Sequence, residues 1–198
     1  MDRERKRPQM NISLAAAEGI LARALDVLNT GDRSLLAALD ELPAAIYVTD
    51  AHGVITYYNP ACLAFAGRVP ALGQDRWCVT WKLFTEDGTF LPHDQCPMAD
   101  AILTQTPVRG VSAVAERPDG TRVNFLPFPT PLFDSQGQFN GAVNTLIDVT
   151  AGKRAAALRE QARRCRRLAI SVDDQQTAST LYGLAAGYEE EARKLSSN

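Results

Sequence analysis

The sequence predicts an α+β fold in which a β-rich centre lies between helical ends. Apolar residues recur at spacings of three and four near both ends of the 198-residue chain, as they do in amphipathic helices. Between about 44 and 150, short β-rich runs and turn residues follow one another in the order strand, strand, short helices and three strands. This length suits one domain of ordinary size with helical extensions.

The N-terminal part, 1–34, is predicted to hold a polar tail and one amphipathic helix. Over about 12–29, one apolar stripe is formed by Leu14, Ala17, Leu21, Leu25 and Leu28. Gly31 ends this helix, and Asp32 can cap a second short helix, which Pro43 stops. Because charged residues interrupt the apolar run, we expect neither a signal peptide nor a membrane span, and we expect a cytoplasmic protein.

The first two β-rich runs, 44–49 and 54–58, are joined by an Asp-Ala-His-Gly turn and predict a β-hairpin. Asn59 and Pro60 follow this hairpin. They suit the start of a helix, with Asn59 as its cap and Pro60 in its first turn. The helix is expected to end at Gly67, since glycine commonly follows the last turn of a helix.

The next part of the chain is expected to be irregular over 68–92. Asp94 is then expected to cap a helix that runs to about Gln105. Three further strands are predicted at Val108–Glu116, Thr121–Phe128 and Phe139–Val149. Prolines occupy alternate positions at the end of the second of these strands: Pro127, Pro129 and Pro131. Because proline has no N–H to donate, we expect this half of the strand to pair with one neighbour and to separate from the other.

The C-terminal part, 151–198, returns to a helical pattern. A heptad stripe is formed by Ala151, Ala155, Leu158, Ala162, Cys165, Ala169 and Val172. The Ser-Val-Asp-Asp sequence at 171–174 resembles a capping box and predicts a second helix. Its stripe is formed by Ala178, Leu181, Ala185, Tyr188, Ala192 and Leu195. These stripes allow two arrangements: a parallel coiled coil between two chains, or a helical hairpin that folds back.

Three segments resemble parts of PAS domains and occur in the same order. The segment LPAAIYVTDAHGVITYYNPACLAFAG, at 42–67, resembles the first PAS hairpin and helix, with Asp50 before its Gly turn. The segment ERPDGTRVNF, at 116–125, resembles the hairpin between the third and fourth PAS strands. The segment GAVNTLIDVT, at 141–150, resembles the last PAS strand, which ends in a D-x-T pattern.

The resemblance covers about 35–150. It implies a five-stranded antiparallel PAS sheet with helices inserted after strand 2, plus N-terminal and C-terminal amphipathic helices. The segment DGTFLPHDQCPMA, at 87–99, is also similar to a subgroup of bacterial PAS sensors, some of which are attached to histidine kinases. In PAS proteins the D-x-T pattern, here Asp148 and Thr150, resembles the point of signal coupling to an output helix. Alternatively, these two residues only cap the helix that starts at Ala151.

The resemblance also suggests where a small-molecule ligand would bind. Trp77, Trp81 and Phe84 fall in the region that caps the internal cavity of PAS folds. There they either line a pocket for an apolar or aromatic ligand or fill the core. The other candidates for ligand binding are Met98, Phe125 and Asn144. An asparagine that faces an apolar pocket needs a polar partner, and strand parity leaves open whether Asn144 faces inward or outward.

The segment around His93 and Cys96 allows two interpretations. Histidine, cysteine and methionine are all ligands of haem iron, and PAS domains that bind haem often take an axial His from the helix nearest this place. His93 or Cys96 would then serve a haem-binding gas or redox sensor. In the other interpretation, Asp94 caps a helix, Pro97 lies in its first turn, and Cys96 and Met98 pack in the core. No segment matches the NCRFLQ-like motif of PAS domains that form a flavin adduct.

Common catalytic signatures are absent from the sequence. It contains no phosphate-binding glycine loop, no H-E-x-x-H and no G-x-S-x-G, and it has only 2 histidines. The net charge of -2 gives no global case for nucleic acid or an acidic membrane, and the 4 scattered cysteines suggest free thiols instead of a metal site. We therefore expect a non-enzymatic protein, which the resemblance implies is a PAS sensor or adaptor that acts on a separate histidine kinase or other signalling protein. Because the flanking amphipathic helices cannot bury their apolar stripes alone, we expect it to form a homodimer. The alternatives are a haem sensor and a purely structural dimerisation module.

Overall fold

The computed structural model describes residues 36–196, together with Gly19 and Ala22, which are helical. The rest of the helix predicted over 12–29 lies outside the described residues. The described residues form two compact units, which divide between Asp148 and Val149.

The first unit combines short helices with one antiparallel sheet. Its elements are α1 Leu36–Asp40, β1 Ala45–Thr49, β2 Ile55–Tyr58, α2 Ala61–Ala66, β3 Lys82–Phe84, β4 Phe90–Leu91, a 3₁₀ turn at His93–Gln95, α3 Pro97–Thr104, β5 Ala113–Glu116, β6 Arg122–Pro127, β7 Thr130–Phe133 and β8 Phe139–Asp148. The strand order is β2-β1-β8-β6-β5-β3-β4, and β7 pairs with β8. This confirms the predicted α+β fold, with helices inserted after the second strand.

The sheet has more strands than the five predicted, because a short hairpin extends its edge. Strands β3 and β4 lie in the stretch 68–92, which was expected to be irregular, and β3 pairs with β5. The turn between them is closed by Asp87, whose Oδ1 accepts a hydrogen bond from the Thr89 N–H at 3.1 Å. The predicted strand at 108–116 is correspondingly shorter and starts at Ala113, since Gly110 adopts a left-handed turn conformation with φ of 74°.

The prolines divide the fourth predicted strand in two, and this also raises the number of strands. Strand β6 pairs with both β5 and β8, whereas β7 pairs with β8 alone. The expected pairing of the second half with only one neighbour is therefore confirmed. Between the two strands, the Phe128 N–H lies 2.9 Å from Thr145 O and 3.0 Å from Asn144 Oδ1, so it has two acceptors on β8.

The hydrophobic core lies on the face of the sheet that α2 and α3 cover. Its larger buried side chains are Tyr47, Ile55, Phe65, Leu83, Met98, Phe125 and Leu146. The rings of Phe65 and Phe125 meet edge to face at 5.3 Å, which joins α2 to β6. Burial of each large apolar side chain contributes about 1.5–3 kcal/mol, so this cluster is the main source of stability.

The prediction that Asn59 caps a helix is wrong, because its side chain bonds elsewhere. Helix α2 begins after Pro60 and has no side-chain cap. The Oδ1 of Asn59 accepts a hydrogen bond from the Ile46 N–H, and its Nδ2 donates to the carbonyls of Leu39 and Ala44, each at 2.9 Å. Asn59 is fully buried, so this amide holds the chain that enters β1.

The prediction that Asp94 caps a helix is also wrong. Asp94 lies within the 3₁₀ turn, and α3 starts separately at Pro97, with Cys96 at its cap position and no side-chain cap. The residue before a proline is disfavoured in helical conformation, and Cys96 accordingly has an extended ψ of 162°. The proline therefore separates the 3₁₀ turn from the helix.

The second unit is a hairpin of two helices, α4 Thr150–Ser171 and α5 Gln175–Ser196. Both predicted stripes supply its seam, whose fully buried members are Ala155, Ala162, Ala169, Ala185 and Ala192. An ion pair of 2.7 Å joins Arg154 near the start of α4 to Glu191 near the end of α5, so the helices run antiparallel. The two helices therefore pack on each other within one chain as a hairpin.

Both helices of this hairpin begin differently from the expectation. Asp174 accepts a hydrogen bond from the Thr177 N–H at 2.7 Å and caps α5, whereas Ser171, the cap in the predicted capping box, is the last residue of α4. Thr150 was expected to cap the start of α4. It is instead the first helical residue of α4, and Val149, which has no polar side chain, occupies the cap position.

Candidate functional site

The first unit has a cleft of about 570 Å³, a size typical of small-molecule sites. Its walls come from Trp77, the β3–β4 hairpin, α3 with the turn before it, and the segment before β5. The apolar lining residues are Trp77, Leu91, Pro97, Ala99, Leu103, Val108 and Val111, and the polar ones are Thr85, Asp94, Gln95, Asp100 and Ser112. Of this lining, only Trp77 was predicted from the sequence as a ligand-binding residue, because four separate segments contribute to the cleft.

The charge of the cleft is negative. Asp94 and Asp100 both line it, and neither side chain forms an ion pair or hydrogen bond with any residue in the described part of the chain. The hydroxyl of Ser112, a third lining residue, donates to the Glu86 carboxylate. No lysine or arginine belongs to the described lining.

Trp77 forms a strained part of the cleft wall. Its φ of 69° lies in the left-handed region, which is uncommon for residues other than glycine. Its N–H donates to the Gly53 carbonyl at 2.8 Å. A Cβ atom on Gly53 would lie 2.3 Å from the indole ring, so the ring packs here only because residue 53 is glycine.

A line of hydrogen bonds leads from Trp77 into the middle of the sheet. The Tyr47 hydroxyl donates to the Trp77 carbonyl oxygen at 2.8 Å, and the Asn144 Nδ2 donates to the same hydroxyl at 3.0 Å. The Oδ1 of Asn144 in turn accepts from the Phe128 N–H. Tyr47 and Asn144 are directly opposed on β1 and β8. Each polar group in this line of hydrogen bonds therefore has a partner in a largely apolar interior.

A second line of polar contacts approaches the interior from His93. Its Nε2 lies 3.5 Å from the Thr80 hydroxyl, which donates to the Cys78 sulfur at 3.2 Å. Burial lowers the pKa of His93, and the positive charge of Arg68 adds to this effect. The imidazole is therefore held neutral more strongly than a histidine in water.

Burial also controls the thiols and the phenol of the core. Burial raises the pKa of the Cys96 thiol to about 12, and it raises the pKa of the Cys62 and Cys78 thiols. It likewise raises the pKa of Tyr47 well above its usual value. Because only a thiolate is a strong nucleophile or metal ligand, these cysteines are protonated and unreactive at neutral pH.

The structure places the six predicted ligand-binding residues at different sites. Trp77 lines the cleft. Met98, Phe125 and Asn144 lie in the filled interior, at most 2% exposed, so strand parity turns Asn144 inward. Trp81 is 43% exposed and carries the Lys82 ammonium over its ring at 4.1 Å, while Phe84 packs against Phe90. Only one of the six is therefore part of the cleft.

The two residues proposed for haem do not share an open cavity. Neither His93 nor Cys96 lines the cleft, although their neighbours Asp94, Gln95 and Pro97 do. Cys96 is 2% exposed and packs in the core cluster, as the structural interpretation of this segment predicts. The geometry gives the haem hypothesis no support, and an absorption spectrum with added haem is its test.

The predicted coupling residues lie where the two units divide. Asp148 is the last residue of β8 and is in register with Phe125, and Thr150 is the first residue of α4.

Within the residues that the structure describes, no cluster of three acidic, histidine or cysteine side chains could hold a metal ion. Nor is any described helix long and apolar enough to cross a membrane.

The chain is similar to three solved structures. An RNA-binding light-oxygen-voltage receptor is 24% identical, with a TM-score of 0.43 over 74% of this chain, which spans 37% of the receptor. The PAS domain of a protein from Colwellia psychrerythraea is 19% identical, with a TM-score of 0.41 over 60% of this chain and 96% of that domain. A light-oxygen-voltage domain studied with a flavin analogue is 19% identical, with a TM-score of 0.47 over 68% and 98% of the two chains. No curated protein matches the sequence.

The family comparison covers the sheet and the cleft. Residues 39–154 match the family described as the PAS fold. This range is more than half of the 198 residues, and it contains every strand from β1 to β8 and every residue that lines the cleft. The chain therefore belongs to the PAS family of sensor domains.

Proposed function

We propose that this chain is a non-enzymatic PAS sensor or adaptor that receives its input at the cleft and delivers its output through β8 to the C-terminal helices. Two features support the proposal. The wall of the cleft contains a tryptophan with a strained backbone, and strained residues cluster at ligand sites. Hydrogen bonds also join this tryptophan to the centre of the sheet.

The observation that carries the proposal is the position of the Tyr47 hydroxyl. It is fully buried and bonds to the Trp77 carbonyl on one side and to the Asn144 amide on the other. A buried polar group that loses its partner costs about 1–3 kcal/mol. If a ligand displaced the Trp77 backbone, the Tyr47 hydroxyl would lose a hydrogen bond unless Tyr47 and Asn144 moved with it. This energetic cost would couple the cleft to β8.

The output would follow the course of β8. Asn144 lies in this strand, β8 ends at Asp148, and only Val149 separates it from α4. A sensor requires an element with two arrangements that a ligand biases. We infer that this element is the proline-divided strand, because β7 is hydrogen-bonded to β8 but not to β5. Asn144 contacts the break directly through the Phe128 N–H.

Hydrogen exchange in the full chain tests this coupling without any ligand. Tyr47→Phe keeps the ring and removes the hydroxyl that both partners use. We expect amide exchange to become about five-fold faster in β8 and in the first turns of α4, the effect of about 1 kcal/mol of lost local stability. Peptide-level mass spectrometry measures both regions in one experiment.

Tyr58→Phe is the matched control. Tyr58 packs against the same core, and its hydroxyl has no hydrogen bond to any residue of the described part. Its removal is expected to leave exchange in α4 unchanged. The proposal would fail if Tyr47→Phe destabilised β8 without altering exchange in α4, or if both variants changed α4 equally.

We further propose that the chain acts as a homodimer and signals to a separate histidine kinase or other signalling protein. The support is the surface of the helical hairpin. Four large apolar side chains on it are exposed: Leu168, Ile170, Tyr182 and Leu184. Association would remove this apolar surface from water. Sedimentation of the full chain at several concentrations measures the self-association.

A further inference from the structure

We propose that the cleft binds a small organic cation with an apolar body. This inference rests on the proposed function, since it names the ligand class of the same cleft. Three properties of the cleft lead to it: its volume, its apolar walls and the sign of its charge.

The volume and walls favour an organic molecule over an ion. A volume of about 570 Å³ is much larger than a water molecule or a metal ion needs. Trp77, Leu91, Leu103 and Val111 give the cleft broad apolar surfaces. Contact with such surfaces stabilises a ligand in proportion to the apolar area that it loses to water.

The sign of the charge selects a cation. Asp94 and Asp100 face the cleft without an ion pair or side-chain hydrogen bond to any described residue, so both carboxylates remain available. An anionic ligand would be repelled by these two exposed carboxylates. Within the described lining, no basic side chain offsets them.

Arg109, the arginine nearest to Asp100 in the sequence, does not line the cleft and forms several hydrogen bonds. Arg109 donates to the carbonyls of Val108 and Pro129, each at 2.8 Å, and to the Thr130 hydroxyl at 2.7 Å. Its guanidinium also lies 5.6 Å from the Phe128 ring. These contacts place the guanidinium beside β7.

A matched series of indoles tests the ligand class on the full chain. Tryptamine is protonated at neutral pH, as primary amines are, while tryptophol is its neutral alcohol and indole-3-acetate is an anion. We expect calorimetry to show tryptamine binding about five-fold more tightly than tryptophol, a difference of about 1 kcal/mol. Indole-3-acetate is expected to bind more weakly than either. Raising the salt from about 0.1 M to about 1 M should reduce the preference, because the Debye length falls from about 10 Å to about 3 Å.

Two double variants assign the preference to the cleft. Asp94→Asn with Asp100→Asn is expected to bring tryptamine and tryptophol to within about two-fold of each other, since the charge that separates them is removed. Glu41→Gln with Asp173→Asn changes the net charge equally at two exposed acids outside the cleft. This control is expected to keep the five-fold preference.

Several results would overturn the inference. They are no measurable binding of tryptamine at millimolar concentration, equal affinity for tryptamine and tryptophol, and a preference that survives in Asp94→Asn with Asp100→Asn. The hydrogen-exchange experiment separates this failure from that of the proposed function. If tryptamine does not bind while Tyr47→Phe still alters exchange in α4, the ligand class is wrong and the coupling stands. If tryptamine binds and Tyr47→Phe leaves amide exchange in α4 unchanged, the ligand class stands and the proposed coupling is wrong.

Discussion

Asn59→Ala is expected to destabilise the first unit more than a typical substitution. Asn59 is fully buried and makes three hydrogen bonds of 2.9 Å to backbone groups. Alanine can replace none of them, so the Ile46 N–H and the carbonyls of Leu39 and Ala44 lose this partner. The affected backbone leads into β1, the strand that carries Tyr47 and thus supports the polar line to the cleft.

The magnitude follows from these three groups. A buried backbone group left without a partner costs about 1–3 kcal/mol, and relaxation of neighbouring groups makes such losses less than additive. We therefore expect a loss of about 3–5 kcal/mol in the free energy of unfolding. Since small domains have total stabilities of about 5–15 kcal/mol, the variant should still fold at low temperature.

Urea unfolding followed by circular dichroism measures this loss. For a slope of about 1.5 kcal/mol per molar urea, a loss of 3 kcal/mol lowers the midpoint by about 2 M. Asn140→Ala is the control, because Asn140 is exposed and its side chain forms no hydrogen bond with the described residues. A midpoint for Asn59→Ala close to that of Asn140→Ala would show that the buried amide contributes little, and would refute the reasoning.

Two further substitutions test the electrostatics and the packing of the sheet. Because burial lowers the pKa of His93, the unfolded chain binds more protons than the folded chain once the pH falls below the unfolded value of about 6.5. Stability should therefore decrease as the pH falls from 7 through this range, and His93→Gln should flatten that decrease in urea titrations; an unchanged slope would contradict the assignment. Thr145 is fully buried on β8, and its hydroxyl has no hydrogen-bond partner in the described structure. Thr145→Val should leave the thermal midpoint unchanged or raise it by a few degrees, about 1 kcal/mol, and a clear fall would mean that the hydroxyl has a partner.

Local sequence signals predicted the parts of the fold that depend on local physics. Asp50 closes the first hairpin through hydrogen bonds from the His52 and Val54 N–H groups, each at 2.9 Å, as the Asp-x-x-Gly turn indicates. The alternate prolines predicted the division of the fourth strand, because a missing N–H has the same effect in any tertiary context. The alanine stripes likewise predicted the seam of the C-terminal hairpin.

The remaining features depend on contacts between distant segments. Strand β4 has two residues, which is too short to show any periodicity. Asn59 suited a helix cap by its sequence neighbours, but its partners lie 13 to 20 residues away. Asp94 likewise suited a helix cap, and its role in the cleft appears only when α3 and the segment before β5 are brought together. No periodicity in a single segment carries that information.

The packed interior gives a physical reason for an input site at the edge of the sheet. Where a PAS fold could hold a ligand inside, this chain has Tyr47, Met98 and Phe125, each at most 2% exposed. A ligand there would have to displace several large side chains at a cost of about 1.5–3 kcal/mol each. A ligand in the cleft would displace none of them and would need to move only Trp77, whose backbone is already strained. Because the Trp77 carbonyl holds the Tyr47 hydroxyl, a small movement at the edge would then reach Asn144 on β8 without opening the core.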